Sequence, residues 1–162
     1  MRAKLRASTP RTPRYIGAIA EYTFKHADPG FVARAKAAGG GFIVAGQTYG
    51  QGSSREAAAI APMYLGVRGV LARSFARIHR ANLLNWGVLP LEFADPADYE
   101  AVAAGDGLRL SGVRARLAAG ALVVEHEPSG RRIPVRCILT DRERSILLAG
   151  GRLRHTVEQR AR

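Results

Sequence analysis

A chain of 162 residues, 47% of them hydrophobic, is long enough to bury one core and too apolar to stay disordered. Its formal charge is +12, from 25 Lys and Arg against 13 Asp and Glu, and its aromatics (7%) do not interleave with the scattered arginines as a base-stacking platform requires. The charge therefore reads as a basic surface for an acidic partner or substrate, with nucleic acid the less favoured partner, and no run reaches the ~20 apolar residues that span a bilayer.

Residues 1–13 are basic, carry no acid and include Pro10 and Pro13. Without a convincing apolar helical face they read as a flexible arm rather than a targeting helix. A short apolar piece (14–19) and a single helical turn (20–24) follow. Asp28-Pro29-Gly30 offers an N-cap and a first-turn proline for a helix over 31–38, closed by Gly39-Gly40-Gly41. A buried strand is expected at 42–46, an alanine-rich helix from near Ser54 to Leu65, a strand at 67–72, a helix over 75–86 capped by Ser74, and a strand at 88–93. Strand, helix, strand, helix, strand over about 42–93 implies a parallel sheet with right-handed crossovers.

The pattern changes after Asp95-Pro96. Runs at 108–116, 121–127 and 131–139, the last two joined by Pro128-Ser129-Gly130, predict a smaller antiparallel β region at about 107–139. Thr140-Asp141-Arg142-Glu143 is a capping box opening a helix to Leu148. Gly150-Gly151 ends that helix, and a polar, frayed tail is expected from Arg152, with 157–162 outside the domain. The single cysteine, Cys137, excludes an internal disulfide and a self-contained cysteine metal site. It lies in an apolar run and reads as a buried thiol in a reducing compartment, the cytoplasm.

The stretch with chemical content is Tyr49-Gly50-Gln51-Gly52-Ser53-Ser54-Arg55-Glu56, between a strand and a helix. Strand, glycine loop and helix N-terminus present backbone N–H groups to an anion. Two hydroxyls and a guanidinium join them, and a guanidinium fork suits a carboxylate. The lysine of a phosphate-binding P-loop is absent, as is the acid expected about 20 residues beyond a dinucleotide-binding turn. His79 and His126 come with no acid at a spacing that would make a nucleophile elbow, and His26 and His155 lie in polar segments, so all four read as surface or structural. A plain turn with Ser54 as N-cap fits the same spacing; the residues alone leave the anion site and the turn both open.

The same residues, with Gly40-Gly41-Phe42-Ile43-Val44-Ala45-Gly46 before them, resemble the swivelling C-terminal (small-subunit) domain of the aconitase / isopropylmalate dehydratase family. So do Ser74-Phe75-Ala76-Arg77-Ile78-His79, the run from Ala81-Asn82-Leu83-Leu84 to Gly87-Val88-Leu89-Pro90-Leu91, and Leu147-Leu148-Ala149-Gly150-Gly151. The resemblance covers roughly residues 14–156. It implies an α/β fold, a swivelling β/β/α three-layer domain, and the dehydration and rehydration of a hydroxy di- or tricarboxylic acid of the aconitate hydratase type, with the isopropylmalate dehydratase small subunit as the alternative. It implies a [4Fe-4S] cluster carried by a large subunit or another domain, with no metal held by this chain.

By that resemblance Ser53 is the general base, Arg55 and Arg14 bind substrate carboxylates, Ser54 hydrogen-bonds the substrate, and Gly50, Gln51 and Gly52 supply the loop backbone. The sequence departs from the family at Ala57, where a histidine is usual, and in lacking an Asp-rich stretch ahead of Arg14. An RNA-binding or non-catalytic regulatory module is the reading of another class.

Overall fold

A computed structural model describes residues 11–52, 56–119 and 121–161. Three parallel strands, β1 (Gly41–Ala45), β2 (Val67–Ala72) and β3 (Leu89–Phe93), alternate with helices α3 (Ala57–Tyr64) and α4 (Arg77–Asn85). Helices α1 (Arg11–Ala20) and α2 (Phe31–Ala38) precede them. Three antiparallel strands follow, β4 (Leu108–Arg109), β5 (Ala121–His126) and β6 (Arg131–Arg136), with α5 (Val113–Ala119) between β4 and β5. Helices α6 (Asp141–Leu148) and α7 (Arg152–Arg160) end the described chain. The parallel and antiparallel sets are one mixed sheet of order β1-β2-β3-β6-β5-β4, joined where Glu92 and Phe93 pair with Arg136 and Val135.

Successive side chains of a strand point to opposite faces, so each strand feeds two cores. Leu71, Leu91 and Phe93 share one core with Leu122, Val124, Ile133, Val135 and Leu117 of α5. The parallel and antiparallel halves thus close on each other and the sheet curls. Ile43, Ala45, Val70 and Ala72 turn the other way, onto Ala59 of α3 and Leu83 of α4. Ala20, Ala35, Ala61 and Leu65 pack α1 and α2 against α3. The layers are antiparallel strands, parallel strands and helices, as the family resemblance implies.

Four local expectations are corrected. Residues 11–20 form a helix rather than the end of a loose arm and a short apolar piece; Pro13 falls in its first turn, where a missing N–H breaks no helical bond. The run at 108–116 is a two-residue strand and then α5, because Gly112 takes φ 66° and Val113 and Leu117, four apart on one helical face, reach the inner core. Asp28 does not cap α2: Gly30 stands at the N-cap without a side-chain bond, and Asp28 pairs with Arg34. The expected frayed tail contains α7. The capping box of α6 is present, Glu143 N–H donating to Thr140 Oγ1 (3.2 Å) and Thr140 N–H to Glu143 Oε2 (2.8 Å).

Candidate active site: the loop between β1 and α3

Because β1 and β2 are parallel, the segments leaving their C-terminal ends emerge side by side, where open α/β sheets bind ligands. The two segments are stitched together. Thr48 N–H donates to Ser74 Oγ (2.8 Å), Tyr49 N–H to Ser74 O (2.9 Å) and Ala76 N–H to Tyr49 O (2.9 Å), while Tyr49 and Phe75 form an isolated parallel bridge. Ser74 therefore does not cap α4 as expected. Its hydroxyl is spent on the loop, and Ala76 occupies the N-cap with no side-chain bond.

The loop then turns sharply, with φ of 52° at Thr48, 93° at Gly50 and 137° at Gly52. Gly50 is demanded by more than its backbone angle. A Cβ built there would lie 2.1 Å from Cγ and 2.3 Å from Cδ2 of His79, so the α4 histidine ring lies directly against the loop backbone. Tyr49 meets the same ring edge-on, with centroids 5.0 Å apart. Burial pushes the Tyr49 phenol up to about 12 and pulls the His79 imidazole below its ordinary value, so both are neutral near pH 7.

Ser53, Ser54 and Arg55, the residues expected to carry the chemistry, lie outside the described residues. Their flanks are defined. Gly52 precedes them, and Glu56 follows at the N-cap of α3, its carbonyl accepting Ala59 N–H (3.0 Å) and Ile60 N–H (2.9 Å). Gln51 is exposed between the two loop glycines. Arg14 stands on α1, the helix that packs against α3 through Ala20 and Ala61. Arg73, at the same sheet end, is committed elsewhere: Nε donates to Pro96 O (3.1 Å), Nη2 pairs with Glu100 (2.6 Å), and the guanidinium lies over the Tyr99 ring. Arg77 is exposed at the first position of α4.

Other candidates separate from this site. His126, for which the sequence offers no acid at a suitable spacing, receives one through strand pairing: its Nε2 is 2.8 Å from Asp106 Oδ2, and its Nδ1 2.6 Å from Ser129 Oγ. The arrangement ties the β5–β6 turn to the turn before β4, and Ser129 Oγ also accepts Arg131 N–H (3.3 Å), so its role is to lock two loops. A cavity of about 610 Å³ runs beside β1 between Phe31, Phe42 and Val102 and is lined mostly by apolar residues. Cys137 is buried, and burial pushes its thiol up to about 11. Among the described residues no three His, Cys, Asp or Glu side chains converge as a metal site would need; a protonated, enclosed single thiol does not fit an iron–sulfur cluster.

His79, read from the sequence as surface or structural, is the buried ring beneath the loop, a contact the sequence did not disclose. Its signal in the sequence is its place five residues after Ser74, on the helix that follows the loop-binding segment.

Residues 21–96 match the family model of the aconitase C-terminal domain. A sequence from Emericella nidulans named for mitochondrial aconitate hydratase is 41% identical over 136 residues, which are 80% of this chain and 17% of that protein. The mitochondrial aconitate hydratase of Arthroderma benhamiae is 56% identical over 68 residues, 41% of this chain and 9% of that one. The chain thus spans less than a fifth of the length of these relatives. The crystal structure of 3-isopropylmalate dehydratase (leuD) from Methanocaldococcus jannaschii superposes with a TM-score of 0.73 at 30% identity, covering 88% of this chain and 77% of that one.

Proposed function

The chain belongs to the aconitase / isopropylmalate dehydratase family, as a C-terminal or small-subunit domain, and from that premise we propose that it supplies one half of a hydro-lyase active site. The substrate is a hydroxy di- or tricarboxylic acid of the kind aconitate hydratase acts on. Ser53 takes the proton from the substrate carbon, Arg55 and Arg14 hold its carboxylates, Ser54 hydrogen-bonds it, and the backbone of Gly50, Gln51 and Gly52 faces the anion. The observation that carries this reading is the fixed frame of the loop, with Tyr49 held to Ser74 and Ala76 by backbone hydrogen bonds and Gly50 laid on His79.

The chemistry asks for such a frame. A serine hydroxyl is a weak base at neutral pH and works only where an alkoxide is stabilised. Oriented N–H dipoles and a guanidinium supply that stabilisation if they do not have to reorganise during the reaction. A [4Fe-4S] cluster on a partner chain or domain supplies the Lewis acid for the departing hydroxyl. The residues of this chain bind the substrate, orient it and move its proton. The +12 charge attracts the anionic substrate. The complex belongs in a reducing compartment, the cytoplasm on the sequence reading; cell fractionation decides between that and the mitochondrion of the named relatives.

The test is to combine the chain with a cluster-bearing partner and assay citrate and isopropylmalate. Ser53→Ala should lower kcat by roughly 10²–10⁴ with the complex intact, and Arg55→Lys should chiefly raise KM, because an ammonium cannot reproduce the fork. Wild-type turnover in Ser53→Ala overturns the base assignment. The second reading, an isopropylmalate dehydratase small subunit, is favoured by the likeness to the leuD chain over most of its length. Turnover of isopropylmalate but not citrate would select it.

A further inference from the structure

His79 presents an anomaly. Its ring is 1% exposed, yet among the described residues neither Nδ1 nor Nε2 has a hydrogen-bond partner. Leaving a buried polar group unpaired is destabilising, and a phenyl ring would fill nearly the same space without that penalty. The ring is also the surface on which the loop lies, with Gly50 so close that no Cβ fits between them and Tyr49 against its edge. The segment leading into α4 holds Thr48 and Tyr49 by three hydrogen bonds. An imidazole that stays neutral carries one N–H donor and one acceptor, so it can pair with either kind of backbone group.

We propose that His79 is the positioning residue of the glycine loop: in the assembled, substrate-loaded enzyme one of its ring nitrogens hydrogen-bonds the backbone at Gly50–Gln51 and fixes the direction in which the loop presents its N–H groups. The proposal rests on the hydro-lyase reading for its effect on turnover, though not for the hydrogen bond itself. The unpaired nitrogens are the cost of that arrangement, recovered when a bound anion turns the Gly50–Gln51 backbone toward a ring nitrogen. His79 acts through the loop and does not touch the reacting atoms.

The experiment compares wild type, His79→Phe and His79→Gln in the complex with the cluster-bearing partner. Removal of two unpaired nitrogens should leave the Tm of His79→Phe unchanged or raised, while its kcat falls at least tenfold. His79→Gln, which restores an amide donor and acceptor in the same direction, should recover part of the loss. A second readout is amide hydrogen exchange of the 46–52 segment in the full chain, with and without the unreactive tricarboxylate tricarballylate. Slower exchange on addition of the tricarboxylate in wild type, absent in His79→Phe, supports the hydrogen bond. Wild-type kcat together with wild-type exchange in His79→Phe overturns it. If the wild-type complex turns over no hydroxy acid, the hydro-lyase reading fails, and the exchange comparison alone then decides for or against His79.

Discussion

At Gly50 the backbone angle and the neighbour make the same demand. With φ at 93° and His79 Cγ 2.1 Å from where a Cβ would stand, Gly50→Ala must push the ring, the loop or both. Overpacking of this kind costs about 1–3 kcal/mol, and the strained backbone adds to it. The urea midpoint should fall accordingly, and turnover of the complex should fall more than stability does. Coupling is the sharper measure. In Gly50→Ala with His79→Ala the space removed at one site relieves the clash at the other, so the double variant should be more stable than the two single losses add up to. Strict additivity would mean that the ring and the loop do not meet. The residue whose importance the sequence did not disclose is thus the neighbour that makes a legible glycine necessary.

At the scale of elements, the segment 73–76 works as a clamp. Ser74→Ala removes the acceptor for Thr48 N–H, a loss of about 1 kcal/mol, and frees the loop entrance. Amide exchange distinguishes this from helix capping: protection should drop at Thr48 and Tyr49 and stay unchanged in the first turn of α4. Loss confined to α4 would restore the capping role the sequence suggests. The reason the sequence misleads here is physical. Ser74 stands before a helix, where serine usually caps, and only the approach of β1 to β2 brings a competing N–H from 26 residues away. Where signals are local the sequence is faithful: the alternation that makes β1, β2 and β3, and the Thr140–Glu143 box, appear as expected. The run at 108–116 misleads in the opposite sense, because its apolar residues satisfy both a strand and a helix until Gly112 decides. Of the candidate site, the loop and its glycines were legible; the clamp and the ring beneath it, being contacts between distant segments, were not.

At the scale of the molecule, two carboxyls set how the fold meets acid. Asp106 is held below its ordinary value of 3.8, first by the hydrogen bond with His126 and then by Ala103 N–H. For Glu143 burial pulls upward, but the hydrogen bonds from Arg80 and Thr140 and the Arg80 charge outweigh it and hold it below 4.5. Arg80 joins α4 to α6 through Glu143 (2.7 Å) and the Ile138 carbonyl, and Asp106 joins the β4 turn to the β5–β6 hairpin. Both groups have depressed folded values, so their contribution is complete above the ordinary values and is lost as pH falls through the folded ones. Each protonation also adds to a charge that is already +12, which raises self-repulsion in the compact state. Thermal melts from pH 7 to pH 2 should therefore hold their Tm to about pH 4.5 and drop steeply below it, less steeply in high salt, where repulsion is screened. Glu143→Gln should lower Tm at pH 7 and flatten the fall, because the variant has already lost what acid removes. A variant whose Tm runs parallel to wild type throughout would show that Glu143 does not contribute to the acid limb, leaving Asp106 and the net charge to account for it.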